Sequence, residues 1–144
     1  MGDRFHGAKV ALFIGDALLV YQRDDFDGLP YPGCWDFPGG GREGEERPEQ
    51  TVLRETFEEF GLRLHEADLC GQRAYAGADG RTVWFMAIHL EARAVDDIVF
   101  GDEGQRWALW SVERFLAAPT AIAVLKERLE AYLERRKGGM PDPG

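Results

Sequence analysis

The sequence predicts an α/β fold, an α/β/α sandwich built on a mixed β-sheet, and three observations lead to that prediction. Two pairs of β-prone runs, at 10–21 and 68–91, flank a stretch with helical periodicity. A second helical pattern follows near the C-terminal end. Strand pairs around one helix, with another helix at the end, favour helices packed on both faces of a sheet.

Length and composition fit one folded domain. The chain has 144 residues, of which 44% are hydrophobic, so we expect a single domain over 1–137 and a disordered tail over 138–144. The net charge of −9 argues against binding nucleic acid through a broad basic surface. No apolar run reaches the length of a membrane span, so no membrane partner is expected. Two cysteines are too few for a disulfide framework, which favours a reducing cytoplasm.

The N-terminal third predicts a hairpin followed by loops. Residues 10–14 and 17–21 are β-prone and are separated by Gly15 and Asp16, a turn signal. Glycine and proline make 26–34 a loop. Residues 35–37 form a short extended piece, and the glycine-rich stretch 38–41 is expected to be a loop.

The middle of the chain predicts a helix from Pro48 to Phe60. Proline is favoured at the first helical position, and Gly61 suits the left-handed residue that ends a helix. Apolar residues occupy one side of this helix, as expected for packing on a core.

The C-terminal half predicts the remaining strands and helices. Strands are expected at 68–76 and 82–91, an acidic irregular stretch at 92–104, a strand at 107–110 and a helical turn at 111–117. Thr120 is expected to cap a final helix that ends near Arg136.

Three carboxylates crowd one side of the first helix. At 100° per residue, Glu55, Glu58 and Glu59 fall in a sector roughly 100° wide. Like charges at these spacings repel one another, so a compensating cation is expected. Hard oxygen ligands select Mg²⁺, Mn²⁺ or Ca²⁺ over metals that prefer softer ligands.

The same segment, GGREGEERPEQTVLRETFEEFGL over 40–62, resembles the Nudix box, G-x5-E-x7-R-E-U-x-E-E-x-G-U with U a bulky apolar residue. It departs from the pattern only at Thr56, where an aliphatic residue is usual. The resemblance covers nearly the whole chain and implies the Nudix-type α/β/α sandwich with a mixed sheet.

The resemblance also implies site residues. Mg²⁺, with Mn²⁺ as a substitute, would be bound by Glu55, Glu58, Glu59 and the carbonyl of Gly39. Arg54 would orient a neighbouring carboxylate, and Glu55 is the first choice for the general base. Gly40 and Glu46 would lie next to the metal ligands without binding the metal themselves.

Two residues outside the box resemble positions of MutT-type members. Glu103, in the segment EGQ-x-W, resembles a further metal-binding or base carboxylate, and we expect metal ligation. Arg23 resembles an arginine that contacts substrate.

The function implied is Mg²⁺-dependent hydrolysis of a nucleoside diphosphate linked to another moiety, by attack of water on phosphorus. The approach WDFPGG and the EGQ-x-W segment favour a MutT-like nucleoside triphosphate pyrophosphohydrolase. Ala118 stands about where such proteins can carry a base-reading asparagine, which leaves specificity for an oxidised guanine open. The substrate would be a small nucleotide, and both a monomer and a homodimer fit.

Other functions remain open on the same fold. One is a hydrolase of nucleotide sugars or other diphosphates. Another is a prenyl-diphosphate isomerase with Cys34 as a proton carrier, and a third is a non-catalytic nucleotide-sensing module. Such a module would be expected to lose box carboxylates, and all of them are present.

Overall fold

The structure, a computed structural model, describes residues 4–77 and 79–138. None of the helices in these residues is long and apolar enough to cross a membrane. Two short 3₁₀ helices, at Glu66–Asp68 and Ala92–Asp97, join the main elements. The strands and α-helices are β1 (Gly7–Ile14), β2 (Ala17–Gln22), β3 (Trp35–Asp36), β4 (Gly39–Gly41), α1 (Pro48–Phe60), β5 (Cys70–Ala76), β6 (Thr82–Leu90), β7 (Arg106–Trp110), α2 (Val112–Ala117) and α3 (Ala123–Lys137).

The strands form one mixed sheet in the order β3-β2-β1-β6-β5, with β4 beside β1 and β7 beside β2. Strands β1 and β6 are parallel and pair along their full common length, from Gly7 opposite Val83 to Ile14 opposite Leu90. Every other strand pair is antiparallel. The predicted mixed sheet is therefore confirmed.

Apolar side chains fill both faces of the sheet, as the alternation along β1 requires. Val10 and Leu12 belong to one buried cluster, which also contains Val52 of α1. Ala11 and Phe13 belong to the other cluster, which contains residues of α2 and α3. Helices thus cover both faces, and the predicted α/β/α sandwich is confirmed.

The prediction of a loop at the glycine-rich stretch was wrong in part, because Gly39–Gly41 form strand β4. These residues pair antiparallel with β1, Lys9 opposite Gly39. A Cβ atom at Gly39, whose φ is 131°, would lie 2.2 Å from the carbonyl oxygen of Ala8. The close approach of the two strands therefore requires glycine.

Helix α1 has the predicted bounds. Gly61 ends it with φ 67°, and its N–H donates to the carbonyl of Phe57 at 2.8 Å. At the other end the side-chain oxygen of Gln50 accepts a hydrogen bond from the N–H of Arg47 at 2.8 Å. Because a guanidinium has no acceptor, Gln50 supplies the side-chain bond of this N-terminus.

The predicted start of the last helix was wrong. Helix α3 begins at Ala123 with Ile122 at its N-cap, and Thr120 lies before it. The carbonyl of Thr120 instead accepts a hydrogen bond from the N–H of Trp35 at 2.9 Å. A bridge between Trp35 and Ala121 and a hydrogen bond from the Ile122 N–H to the Trp35 carbonyl hold the next residues beside β3, so the helix starts later.

The other predicted elements are present with small shifts. The strand predicted at 68–76 begins at Cys70, and the stretch 92–104 contains the 3₁₀ helix Ala92–Asp97. In the tail predicted at 138–144, the N–H of Gly138 donates to Glu134 at 2.9 Å, and 139–144 lie outside the described residues. The boundaries of the single domain predicted over 1–137 stay a prediction.

Candidate metal and phosphate site

Glu59 is a buried carboxylate in the last turn of α1. It is 8% exposed, and its Oε1 accepts a hydrogen bond from the N–H of Gly39 at 3.1 Å. The hydroxyl of Tyr21 lies 3.3 Å from its Oε2. Burial raises the pKa of Glu59 to about 8, although the charge of Lys9 and the Gly39 N–H lower it. A nearby cation would therefore stabilise the charged form of this buried carboxyl group.

Glu55 lies one turn earlier, directly against strand β4. A Cβ atom at Gly40 would lie only 2.1 Å from Oε2 of Glu55, so the absence of a side chain there makes room for the carboxylate. Burial raises the pKa of Glu55, Arg54 lowers it, and a hydrogen bond with Glu58 raises it further. The third carboxylate, Glu58, is about half exposed. The negative charges of Glu55 and Glu58 therefore repel each other, and a bound cation would reduce that repulsion.

Arg54 connects the carboxylates of this site. Its Nε donates to Oε2 of Glu46 at 2.7 Å, and one terminal nitrogen donates to the carbonyl of Gly41 at 2.8 Å. The other terminal nitrogen reaches Glu55 at 3.3 Å and Glu58 at 3.1 Å. The hydrogen bond from Arg54 holds the pKa of Glu46 down, at about 2. Glu46 thus fixes the guanidinium, and the guanidinium contacts two of the three carboxylates.

Lys9 is a site residue that sequence reasoning missed. Its Nζ donates to Oδ2 of Asp36 at 2.9 Å and lies 3.3 Å from the carbonyls of Phe37 and Gly39. The Gly39 carbonyl, expected to bind metal, is therefore in contact with an ammonium group. A lone charged residue in the apolar run GAKVALFI is the signal that could have pointed to Lys9.

Asp36, which sequence reasoning also missed, pairs with two cationic side chains of this region. It is 1% exposed, and its Oδ2 accepts from Lys9 and, at 3.1 Å, from Arg23. Its other oxygen accepts the N–H of Phe37 at 2.7 Å. Because Nε of Arg23 also donates to the carbonyl of Pro30 at 2.9 Å, this guanidinium is held in place from two sides.

Glu103 is not brought into contact with the carboxylates. Glu103 is exposed, and its side chain forms no hydrogen bond or ion pair within residues 4–77 and 79–138. The loop that carries it is nevertheless fixed near the site. The N–H of Gly101 donates to the carbonyl of Glu59 at 2.8 Å, and the N–H of Gly104 donates to Asp24 at 3.2 Å.

The donor set suits a hard divalent cation. Within the described part of the chain, no three His, Cys, Asp or Glu side chains already converge as a metal cluster. The donors that surround Gly39 and Gly40 are carboxylate and carbonyl oxygens, which Mg²⁺ and Mn²⁺ prefer. The burial of Glu59 and the repulsion between Glu55 and Glu58 are two unfavourable features that a bound cation would relieve. The residues present therefore fit such an ion.

A cavity of about 780 Å³ is lined in part by the glycine strand, and Glu55, Glu58 and Glu59 are not among the described residues that line it. Lys9, Arg23 and Asp36 line one part of it, together with Gly40, which contacts Glu55. Its volume is within the range of small-molecule sites. The fold and this site define a class of protein in which an acidic helix, a glycine-rich strand and a cavity with cationic side chains lie next to one another.

Comparison with known proteins identifies the family. The sequence matches the NUDIX domain over residues 4–132, and the chain belongs to that family. Its fold is that of the MutT protein from Methanosarcina mazei Go1, with a TM-score of 0.74 and 21% identity over 95% of this chain and 99% of that one.

Relatives with higher identity match only short segments. An 8-oxo-dGTP diphosphatase from Proteus vulgaris is 49% identical over 37 residues, 26% of this chain and 33% of that protein. An RNA pyrophosphohydrolase from Blochmanniella pennsylvanica is 43% identical over 42 residues, 29% of this chain and 27% of that protein. The matched segments thus span at most a third of either relative.

Proposed function

We propose that this protein is a Mg²⁺-dependent hydrolase of nucleoside diphosphates linked to another moiety, and that nucleoside triphosphates are its substrates. The products would be a nucleoside monophosphate and pyrophosphate. The observation that carries the proposal is the position of Glu55 and Glu59 against the glycine strand, whose Gly40 also lines a cavity together with Lys9 and Arg23. A cation held by these carboxylates, together with Lys9 and Arg23, could neutralise the negative charge of a phosphoanhydride.

The carboxylates and one carbonyl would hold the metal. Glu58, Glu59, Glu55 and the carbonyl of Gly39 are the ligands we propose, and Mn²⁺ could replace Mg²⁺. The bound ion would neutralise phosphate charge and lower the pKa of a bound water. Lys9, now within 3.3 Å of the Gly39 carbonyl, would have to withdraw toward Asp36 for that carbonyl to bind metal.

The protein's own groups would move the proton and hold the geometry. Glu55 is the proposed general base, and its raised pKa suits a group that accepts a proton from the attacking water. Arg54 would keep Glu55 and Glu58 oriented through its hydrogen bonds to both. Glu46 would fix Arg54 in turn, and Gly40 leaves the space that the Glu55 carboxylate needs.

The cations of the cavity would bind the phosphates. Arg23 is held by Asp36 and by the carbonyl of Pro30, so little side-chain freedom remains to be lost when substrate binds. Glu103 would approach from its loop as a further metal ligand when substrate is present. The names of relatives, an 8-oxo-dGTP diphosphatase and an RNA pyrophosphohydrolase, support cleavage of phosphoanhydride bonds. The net charge of −9 favours a small nucleotide over RNA.

No contact within the described part of the chain supports the isomerase alternative. Cys34 is half-buried and packs against the apolar cluster that contains α2 and α3, on the face of the sheet opposite α1. The expected cytoplasmic location and the choice between monomer and homodimer stay predictions.

A substrate screen tests the proposal. Purified protein is incubated with nucleoside triphosphates, ADP-ribose, nucleotide sugars and dinucleoside polyphosphates, with Mg²⁺, with Mn²⁺ and with chelator. Phosphate is measured after coupling to a pyrophosphatase or a phosphatase, and Glu58→Gln is the matched inactive control. We expect Mg²⁺-dependent release of pyrophosphate, with triphosphates turned over better than ADP-ribose.

The outcomes separate the alternatives. A preference of tenfold or more for nucleotide sugars, on the order of 1.4 kcal/mol, would overturn the triphosphate assignment and leave hydrolysis standing. In ¹⁸O-labelled water, hydrolysis places the label in a phosphate product, whereas an isomerase leaves the diphosphate intact. Absence of turnover with every substrate would contradict the hydrolase.

A further inference from the structure

Arg128 is a buried cation that forms no ion pair with the residues that the structure describes, although the charge of its chain neighbour Glu127 acts on it. It lies in the middle of α3, is 8% exposed and lines the cavity beside the glycine strand. Its guanidinium stacks over the ring of Tyr75 at 4.7 Å. Among residues 4–77 and 79–138 it has neither an ion pair nor a hydrogen bond, in contrast to Arg23 and Arg54. A buried charge is costly unless it is paired, so this cation calls for a ligand.

The neighbourhood of Arg128 suits a flat, uncharged ring. Apolar side chains of β6 and α3, among them Val83 and Leu125, line the same cavity. Tyr31, which is about half exposed, lines it as well and lies close enough to interact electrostatically with Arg128. An aromatic ring next to apolar walls can stack on a nucleobase of any type. Removing water from a charged phosphate against those walls would cost much more free energy than removing it from a neutral base.

We propose that Arg128 determines substrate specificity by donating two hydrogen bonds to a base with two adjacent acceptors, as guanine has at O6 and N7. The proposal rests on the proposed function, because it concerns the base of the same nucleotide. Lys9 and Arg23 line the cavity together with Gly40, which lies against Glu55, so the phosphates take that part and the base takes the part that Arg128 lines. The planar fork of arginine matches an acceptor pair on one edge of a ring.

The chemistry of the base edge gives a sharp ranking. Guanine and hypoxanthine both present acceptors at O6 and N7. Adenine replaces O6 with an amino donor, and 7-deazaguanine replaces N7 with a carbon. In 8-oxoguanine N7 carries a hydrogen, so this nitrogen is a donor and cannot accept a hydrogen bond from the guanidinium. Arg128 therefore selects undamaged guanine against all three of these bases.

The experiment compares five ribonucleotides: GTP, ITP, ATP, 7-deaza-GTP and 8-oxo-GTP. For the wild type, kcat/KM for GTP and ITP is expected to exceed the other three by about tenfold or more. In Arg128→Leu these ratios should fall to within about twofold. Arg128→Lys, which keeps the charge and loses the fork, should also lose them. Arg114→Leu is the matched control, since Arg114 stacks on Trp110 at 4.5 Å and does not line this cavity.

A binding measurement separates this inference from the proposed function. Calorimetry of GMP and AMP, without metal, should show the same preference for guanine in the wild type and its loss in Arg128→Leu. If no triphosphate is hydrolysed but GMP still binds preferentially, the proposed function fails and the inference stands.

Three results would overturn the inference. The first is a wild type that shows no preference among the five nucleotides. The second is an Arg128→Leu variant, folded by thermal unfolding, that keeps the preference or loses activity equally on all five. The third is a preference for adenosine tetraphosphate over ATP that disappears in Arg128→Leu, which would make Arg128 a phosphate ligand.

Discussion

Substitution of Gly40 by alanine tests whether the position of the Glu55 carboxylate matters for catalysis. A Cβ atom at Gly40 would lie 2.1 Å from Oε2 and 2.6 Å from Cδ of Glu55. Ordinary contact begins at 3.4 Å, so the carboxylate must move by about 1.3 Å, the difference between these distances. The end of the Glu55 side chain can rotate away, so we expect the free energy of unfolding to fall by only about 1 kcal/mol.

The expected effect on catalysis is much larger than the effect on stability. A misplacement of about 1 Å at a reacting group can lower the rate by on the order of 10²-fold, or about 2.7 kcal/mol of transition-state stabilisation. We therefore expect Gly40→Ala to lower kcat about 10²-fold with a nearly unchanged thermal midpoint. The assay is Mg²⁺-dependent release of pyrophosphate from the best triphosphate of the screen.

Gly41→Ala is the matched control in the same strand. The nearest atom to a Cβ at Gly41 is the carbonyl oxygen of His6 at 3.9 Å, so alanine fits without displacement. The hydrogen bond from Arg54 reaches the main-chain carbonyl of Gly41, which alanine retains. Gly40→Ala with the kcat of Gly41→Ala would refute the reasoning, because Glu55 would then work from a displaced position.

Three further predictions concern the acidic residues. Glu58→Gln and Glu59→Gln should each lower kcat by about 10²-fold or more while thermal unfolding shows a folded protein, and near-full Mg²⁺-dependent activity in either would contradict their role as ligands. Glu103→Gln should mainly raise the Mg²⁺ concentration needed for half-maximal rate, and an unchanged Mg²⁺ titration with unchanged kcat would remove it from the site. The hydrogen bond from Arg54 lowers the pKa of Glu46 from 4.5 to about 2. The charged form of Glu46 therefore stabilises the fold fully above pH 4.5, and this contribution disappears as the pH falls toward 2. Urea unfolding should therefore show a loss in Glu46→Gln that is full at pH 7 and shrinks below pH 4.5, and a loss of equal size at pH 7 and pH 3 would contradict the ion pair.

The role we propose for Arg128 could not be predicted from the helical pattern of the sequence. It lies three residues after Leu125 and one before Leu129, both buried, so the spacing places a charged residue on the apolar side of α3. That position was the available signal. The sequence alone gave no means to tell a surface arginine from one that lines a cavity, since β6 and Tyr31 complete that cavity.

Helix α1 and its carboxylates could be predicted because they depend on neighbours in the chain. Pro48, Gly61 and the spacing of the acidic residues act within a few turns, and the structure has the helix between the predicted residues. The mixed sheet and the two covering helices followed from the same local periodicities.

The rest depended on contacts between residues far apart in the chain. Strand β4 forms because it pairs with β1, an approach so close that it requires glycine at Gly39, and Thr120 stays outside α3 because its carbonyl is bonded to Trp35. Lys9 meets Asp36 across 27 positions, a pairing that no local pattern contains. The sequence by itself thus determined which residues carry the charge and where the helix presents them. Only the tertiary structure decided which of those charges are buried and what each one contacts, because burial and pairing depend on the packing of strands and helices that lie far apart in sequence.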